Sequence, residues 1–288
     1  MIRAVLYALE RFWAGELAQE AAGGVDCGRL LELGPARRGW GCRGARAVGG
    51  VFSHRGPRRN NEDAGLVAVA PGHFAAVAVA DGVGGLRAGE VASFRAMCVV
   101  LRSLAEAAGG LGVFSREWFV DLFNRAHKEV AGGAGGGATT LSVAVYDLNA
   151  HVLHVASAGD SVVYMSPDVW SGGCGSAVGY RLVTPDLDES SNAEGRFITQ
   201  AVGHKSYREP HYYQYPLGGC EDTVKVVLAA TDGVDDFIDR SLYGGLVGRF
   251  RRCGTAGGLA KMLVCSALKR GGKDNATAAV LAILPVET

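Results

Sequence analysis

Residues 76–85 read AVAVADGVGG, and residues 227–236 read VLAATDGVDD. Each is a short apolar run that ends in Asp-Gly-Val. Runs of this length bounded by turn residues are read as strands. Each therefore places a carboxylate, Asp81 or Asp232, at a strand end. A carboxylate in that position is costly unless something pairs with it, and the chain builds the arrangement twice.

Working outward, the same texture recurs. Residues 48–53 (VGGVFS), 64–70 (AGLVAVA) and 73–81 (HFAAVAVAD) are apolar runs divided by turn residues. After them, residues 87–107 and 115–131 carry helical periodicity. A glycine-rich stretch, 132–140, leads into further strands at 140–148, 151–159, 161–166 and 180–185. Residues 185–221 are polar, interleave Tyr with His and show no period, which predicts a long loop or a small accessory element. Residues 225–232 return as a strand, 241–252 and 255–270 as helices, and 275–284 close as a strand. Strands in runs joined by tight turns, with helices in pairs between them, do not fit strict strand–helix alternation. They predict an α+β chain of packed antiparallel sheets covered by helices.

The N-terminus has a different character. Ile2, Val5, Leu6, Leu9, Phe12, Trp13 and Leu17 recur at helical spacing, predicting a helix over 2–18 that docks on the main domain. Residues 21–50, rich in Gly, Arg and Ala, read as a linker or irregular extension. The expected division is a 1–46 extension and a 47–288 domain.

Bulk properties narrow the function. The 29 basic and 29 acidic residues give a formal net charge of zero, so no global field draws in nucleic acid or an anionic membrane. No run of eighteen apolar residues predicts a membrane span. The seven cysteines are irregularly spaced with no C-x-x-C, which favours free thiols in a reducing, cytoplasmic setting over a zinc or disulfide framework. A single Cys27–Cys42 bridge is left open. No G-x-G-x-x-G, P-loop or G-x-S-x-G motif frames a nucleotide site or a serine nucleophile.

What remains is acids. Glu62 with Asp63, Asp81, Asp160, Asp232 and Asp274 all lie at or beside strand ends, the last four next to Gly or Asn. Any one Asp-Gly is most simply a turn, and Asp232 or Asp274 alone is as readily a cap. As a set, hard oxygen ligands without nearby His or Cys point to Mg²⁺ or Mn²⁺ rather than zinc. A pair of ions about 3.5–4 Å apart would offset the repulsion and activate a water.

HRGPRRNNEDAGL (54–66), VADGVGGLRAGEVAS (79–93), GGATTL (136–141), AGDSVVYM (158–165), TDGVDDFI (231–238) and KDNATAAVL (273–281) stand in this order. Together they resemble the type 2C, or PPM, metal-dependent protein phosphatases over about residues 48–285. The resemblance implies a four-layer α/β/β/α sandwich, two central antiparallel sheets flanked by helices, with the metals at one end. It implies that Asp81 bridges two Mn²⁺ or Mg²⁺ ions, that the Gly82 carbonyl binds one, and that Asp232 and Asp274 bind the other. Glu62 and Asp63 would hold metal-bound waters, and Arg58 would grip the phosphate. Asp160 and Asp236 match acids linked to a weaker third ion. The implied activity is hydrolysis of phosphoserine and phosphothreonine by direct attack of a metal-bridging hydroxide. The implied partners are phosphoproteins made by a serine/threonine kinase, and the enzyme is expected to be a monomer active in signalling. Two alternatives stay open: a catalytically weak pseudo-phosphatase that binds phosphoproteins, and a phosphoesterase for small molecules. Val83 stands where some members of the family have a histidine. His204 and His211 are read as loop residues before catalytic ones.

Overall fold

The computed structural model describes residues 31–33, 46–70, 72–83, 87–110, 113–133, 137–166, 181–184, 189–192, 195–218 and 222–285. The expected helix over 2–18 lies outside them. The elements run β1 (Leu31–Leu33), β2 (Arg46–His54), β3 (Asp63–Ala70), β4 (Phe74–Val83), α1 (Arg87–Gly109), α2 (Arg116–Ala131), β5 (Ala138–Thr139), β6 (Leu141–Asp147), β7 (Val152–Ala158), β8 (Val162–Ser166) and β9 (Arg181–Leu182). They continue through β10 (Glu189–Asn192), β11 (Gly195–Ile198), β12 (His211–Pro216), β13 (Lys225–Ala230), α3 (Asp232–Asp235), a 3-10 turn (Arg240–Gly245), α4 (Leu246–Cys253), α5 (Ala256–Lys269) and β14 (Ala276–Leu284).

Two antiparallel sheets form the centre. The front sheet has the order β1-β2-β14-β13-β8-β9, and the back sheet β12-β7-β6-β4-β3 with β5 pairing β4. Side chains alternate across each strand, and both faces are covered. On β4, Ala75, Val77 and Val79 enter the core between the sheets, while Phe74, Ala76, Ala78 and Ala80 meet α1 and α2. On β13, Val227 and Ala229 face inward while Val226, Leu228 and Ala230 meet α4 and α5. This is why these strands show unbroken apolar runs and not alternation: every position is buried, each large aliphatic contributing roughly 1.5–3 kcal/mol. The four-layer α/β/β/α sandwich is therefore the observed architecture.

Local signals fix the helix ends. Ser115 caps α2 by accepting from the Trp118 N–H, and Thr255 caps α5 by accepting from the Gly258 N–H. Gly254, at φ 75°, ends α4 in the left-handed conformation that glycine adopts without strain.

Four readings are corrected. The stretch 185–221, expected as a long loop or a small accessory element, contributes a strand to the main fold: β12 pairs in register with β7, from His211 opposite Ser157 to Pro216 opposite Val152, and widens the back sheet. Within 21–50, Leu31–Leu33 pairs with β2. The helix expected over 241–252 begins as a 3-10 turn capped by Asp239, because Gly244 and Gly245 interrupt it before α4. Cys98 and Cys253 are free, whereas Cys265 is disulfide-bonded, against the reading that favoured free thiols and left open a single Cys27–Cys42 bridge. No helix among the described residues is long and apolar enough to cross a membrane.

Candidate active site

Strand pairing brings the first two acids together. Asp63 opens β3 and is the register partner of Asp81 near the end of β4. From the front sheet, Asp232 directly follows β13 and Asp274 lies just before β14, whose pairing sets Ala230 opposite Ala278. The acids of the two sheets sense one another. Burial pushes the Asp63 carboxyl up to about 8, with Asp232 and Asp274 adding to the rise. Asp81 is held well above the usual carboxylate range, first by loss of solvent and then by Asp63, Asp232 and Asp160. Asp232 is raised by burial, with Asp274 and Asp236 adding to it. Asp81 and Asp232 lie within hydrogen-bonding reach, a contact that two carboxylates make only while sharing a proton. When both are ionised the contact becomes repulsive, and the buried Asp63 Oδ1 and Asp232 Oδ1 have no hydrogen-bond donor.

The backbone around Asp81 is clamped by the glycine-rich stretch. The Asp81 N–H donates to Thr140 Oγ1 at 2.8 Å, the Thr140 N–H donates back to the Asp81 carbonyl at 2.8 Å, and the Thr139 hydroxyl donates to that same carbonyl at 2.8 Å. Thr140 Oγ1 also meets Ser161 Oγ at 2.8 Å, one residue past Asp160. The sequence reading saw 132–140 as a glycine-rich lead into strands and missed the two threonines that hold Asp81.

Asp63 accepts from Thr231 Oγ1 at 2.9 Å, and Thr231 Oγ1 accepts from the Thr277 N–H at 3.0 Å. This chain ties an acid of the back sheet to both central strands of the front sheet. Asn275, which the sequence reading did not single out, organises the loop over 55–62. Its amide donates to the Arg55 carbonyl at 2.7 Å and to the Asn60 carbonyl at 2.8 Å, and its Oδ1 accepts from the Glu62 N–H at 2.7 Å. At Gly82 the close approach is absolute: a Cβ there would lie 2.3 Å from the Gly89 carbonyl oxygen, and a Cβ on Gly89 would lie 2.1 Å from Glu62 Oε2. The first turn of α1 thus packs directly on the DG turn.

Glu62 is half-buried, its carboxyl raised by burial, lowered by Arg58 and raised by Asp274 and Glu90. Arg58 donates from Nε to the Lys273 carbonyl at 3.1 Å and forms an ion pair with Asp274 Oδ2 at 2.5 Å. The structure thus brings Arg58, Glu62, Asp63, Asp81, Gly82, Asp232 and Asp274 to one end of the sandwich. Asp160 joins them beside Asp81, and Asp236, exposed after α3, beside Asp232. The sequence reading also missed Asp235. It turns inward from α3 and accepts from the Tyr243 hydroxyl at 2.9 Å and from Arg240 at 3.0 Å. The Asp-Asp pair at 235–236 hid it, because only the short helix separates the two directions. His204 is engaged locally, its Nδ1 meeting Ser206 Oγ at 2.7 Å, and His211 sits on β12 opposite Ser157.

The donor set suits a hard divalent cation in its chemistry: oxygen throughout, crowded anions and two buried oxygens without donors. As the side chains stand, no three His, Cys, Asp or Glu residues among those described share one ligand shell.

The chain matches no protein-family model and no curated protein sequence. Solved structures do match. An S. agalactiae serine/threonine phosphatase aligns with 21% identity over 84% of this chain and 100% of its own, at a TM-score of 0.63. The PPM Ser-Thr phosphatase MsPP of Mycobacterium smegmatis, in complex with cacodylate, aligns with 22% identity over 83% and 98%, at 0.61. The catalytic domain of the phosphatase PstP, in complex with two manganese ions, aligns with 23% identity over 83% and 98%, at 0.59. With two antiparallel sheets sandwiched between helix pairs and aligned over most of its length with these structures, the chain has the fold of the PPM serine/threonine phosphatases.

Proposed function

We propose that the chain is a divalent-metal-dependent phosphatase acting on phosphoserine and phosphothreonine in proteins. The observation that carries this reading is the convergence of Asp63, Asp81, Asp232 and Asp274 from both sheets, with buried oxygens that lack donors. Asp81, Asp232, Asp274 and the Gly82 carbonyl would hold two Mn²⁺ or Mg²⁺ ions. Glu62 and Asp63 would accept from waters around them, and Asp160 and Asp236 would serve a third. When bound, such ions supply a water acidified toward neutrality and positive charge next to the phosphoryl group.

The chain's own residues do the rest. Thr139 and Thr140 fix the Asp81 backbone so that its carboxylate is held in place before an ion arrives. Asn275 holds the 55–62 loop, and with it the base of Arg58, against the turn that carries Asp274. Arg58 presents a planar fork suited to two phosphoryl oxygens, a geometry that lysine lacks. Its present partner, Asp274, is also a proposed metal ligand. Arg58 is thus held beside the acid cluster, with its Nε on the Lys273 carbonyl and its fork on a carboxylate that would be a metal ligand.

Turnover of a phosphothreonine peptide should need Mn²⁺ or Mg²⁺ and vanish in chelator, and Asp232→Asn should lose it. Persistent turnover in metal-free, chelated buffer would overturn the metal reading. Hydrolysis of small phosphate esters with none of the peptide would favour a small-molecule phosphoesterase. Peptide binding without any turnover would favour a pseudo-phosphatase.

A further inference from the structure

The loop that carries Arg58, His54–Asn61, contains Arg55, Arg58 and Arg59 and no acid. The segment 255–273, which ends beside it, contains Lys261, Lys269, Arg270 and Lys273 and no acid. The structure joins the two. Arg58 Nε donates to the Lys273 carbonyl at 3.1 Å, Asn275 ties Arg55 and Asn60 to the start of β14, and Arg55 donates to the Arg59 carbonyl at 3.4 Å. Arg55, Arg58, Arg59, Lys269, Arg270 and Lys273 are all exposed. Two have nearby acids: Arg58 pairs with Asp274, and Arg270 lies near Asp239. None of Arg55, Arg59, Lys269 and Lys273 makes an ion pair with a carboxylate among the described residues. Because the chain is neutral as a whole, this surplus is local.

We infer that this cationic rim selects phosphopeptides with acidic residues flanking the phosphorylated one. The inference deepens the proposed function and rests on that reading for the chemistry, but the rim's charge preference can be tested without turnover. Arg55, Arg59 and Lys273 adjoin Arg58, the residue proposed to grip the phosphate, through the chain or its hydrogen bond, so a bound phosphopeptide would lay its flanking residues across them. At an ionic strength of 0.1–0.15 M, charges within about 8–10 Å still act on one another. That range covers the residues on either side of the phosphate and little more. Each contact is weak alone because the side chains are solvated, so selectivity comes from several acting together, and it should fade with salt. A rim of this size on a neutral chain suits a short acidic segment better than a nucleic-acid track.

The test uses two fluorescent phosphothreonine peptides of equal length, one with Asp and Glu flanks and one with Lys flanks. Binding is read by anisotropy in chelator, and turnover separately with Mn²⁺. The acidic peptide should bind at least tenfold tighter at low salt, with the ratio shrinking toward one in 0.5 M NaCl. Arg59→Glu and Lys269→Glu should each reduce the ratio severalfold, and Arg59→Lys should preserve it. Hydrolysis of p-nitrophenyl phosphate should be unchanged in all three variants. Equal binding of the two peptides, or a ratio unaffected by both Glu variants, would overturn the inference. So would tighter binding of a 20-base-pair DNA duplex than of the acidic peptide. A clear acidic preference without hydrolysis would leave the rim intact and sink the phosphatase reading instead.

Discussion

Asp63 and Asp81 face each other as register partners on β3 and β4, with the Thr231 hydroxyl donating to Asp63 at 2.9 Å. The hydroxyls of Thr231 and Thr277 lower the Asp63 value but do not offset burial and the neighbouring carboxylates, and both acids are held above their usual range. Replacing either by Asn removes a charge from a crowded site. In chelator, Asp81→Asn should therefore melt a few degrees above the wild type, at about 2–4 °C per kcal/mol. Added Mn²⁺ should raise the wild-type melting temperature and leave the variant's unchanged. An Asn variant that is less stable than the wild type in chelator would show that the acids are not in conflict.

The same crowding has a pH signature. The folded-state value for Asp63, about 8, lies above its ordinary 3.8, so folding favours the protonated form. The penalty is absent below about 3.8 and grows as pH rises to about 8. Metal-free Asp63→Asn should gain stability over the wild type progressively between pH 5 and 8 in urea titrations. A constant difference across that range would contradict the assignment.

Arg58 and Arg59 are adjacent, yet only Arg58 reaches Asp274 and the Lys273 carbonyl. Losing a charge-assisted phosphate contact costs about 1.5–3 kcal/mol, or roughly tenfold to 150-fold. Arg58→Ala should show that loss in kcat/KM on a small phosphate ester, mostly through KM, while Arg59→Ala stays near wild type. Equal losses in the two variants would place the phosphate elsewhere.

How much of this was legible follows from what each residue does. Asp81, Asp232 and Asp274 stood out because their carboxylates interrupt apolar runs or turns, and the structure brings them together. The buried strands were legible because both faces are covered and no polar position breaks the run. Thr139, Thr140 and Asn275 were not, since a side chain that serves another segment's backbone leaves no local periodicity. Asn275 works across more than two hundred residues of chain, from β14 to the 55–62 loop. β12 was hidden because its alternation is of Tyr with other polar residues, HYYQYP, and not apolar with polar.

Asn275 is buried and makes three bonds to the 55–62 loop. Asn275→Ala would leave the Glu62 N–H and two carbonyls without those partners, costing roughly 2–4 kcal/mol at about 1 kcal/mol or more each. Chemical denaturation should show the loss, and the KM for a phosphate ester should rise as Arg58 loses its platform. Unchanged stability with unchanged KM would mean that the loop holds its shape by other contacts.

His154 gives a trend opposite to the acids. Burial lowers its pKa below 6.5 despite Asp147 nearby, and its Nδ1 meets the Tyr212 hydroxyl at 2.8 Å, with the Phe119 and Tyr212 rings packed beside it. The fold favours the neutral ring, so its contribution is full above pH 6.5 and is lost as pH falls below it. The stability gap between wild type and His154→Gln should narrow from pH 7.5 to pH 5.5. A gap that widens on acidification would reverse the sign.

Asp63 and Asp81 belong to the back sheet, whereas Asp232 and Asp274 flank the central strands of the front sheet. Any cation gripped by acids of both sheets would act as a rivet between the two halves of the sandwich. Its binding energy would then add to the mechanical strength of that end, by an amount set by the ion's free concentration. Pulled apart by its sheets, the loaded protein should yield first at the far end, and the stripped protein at the end where the acids meet.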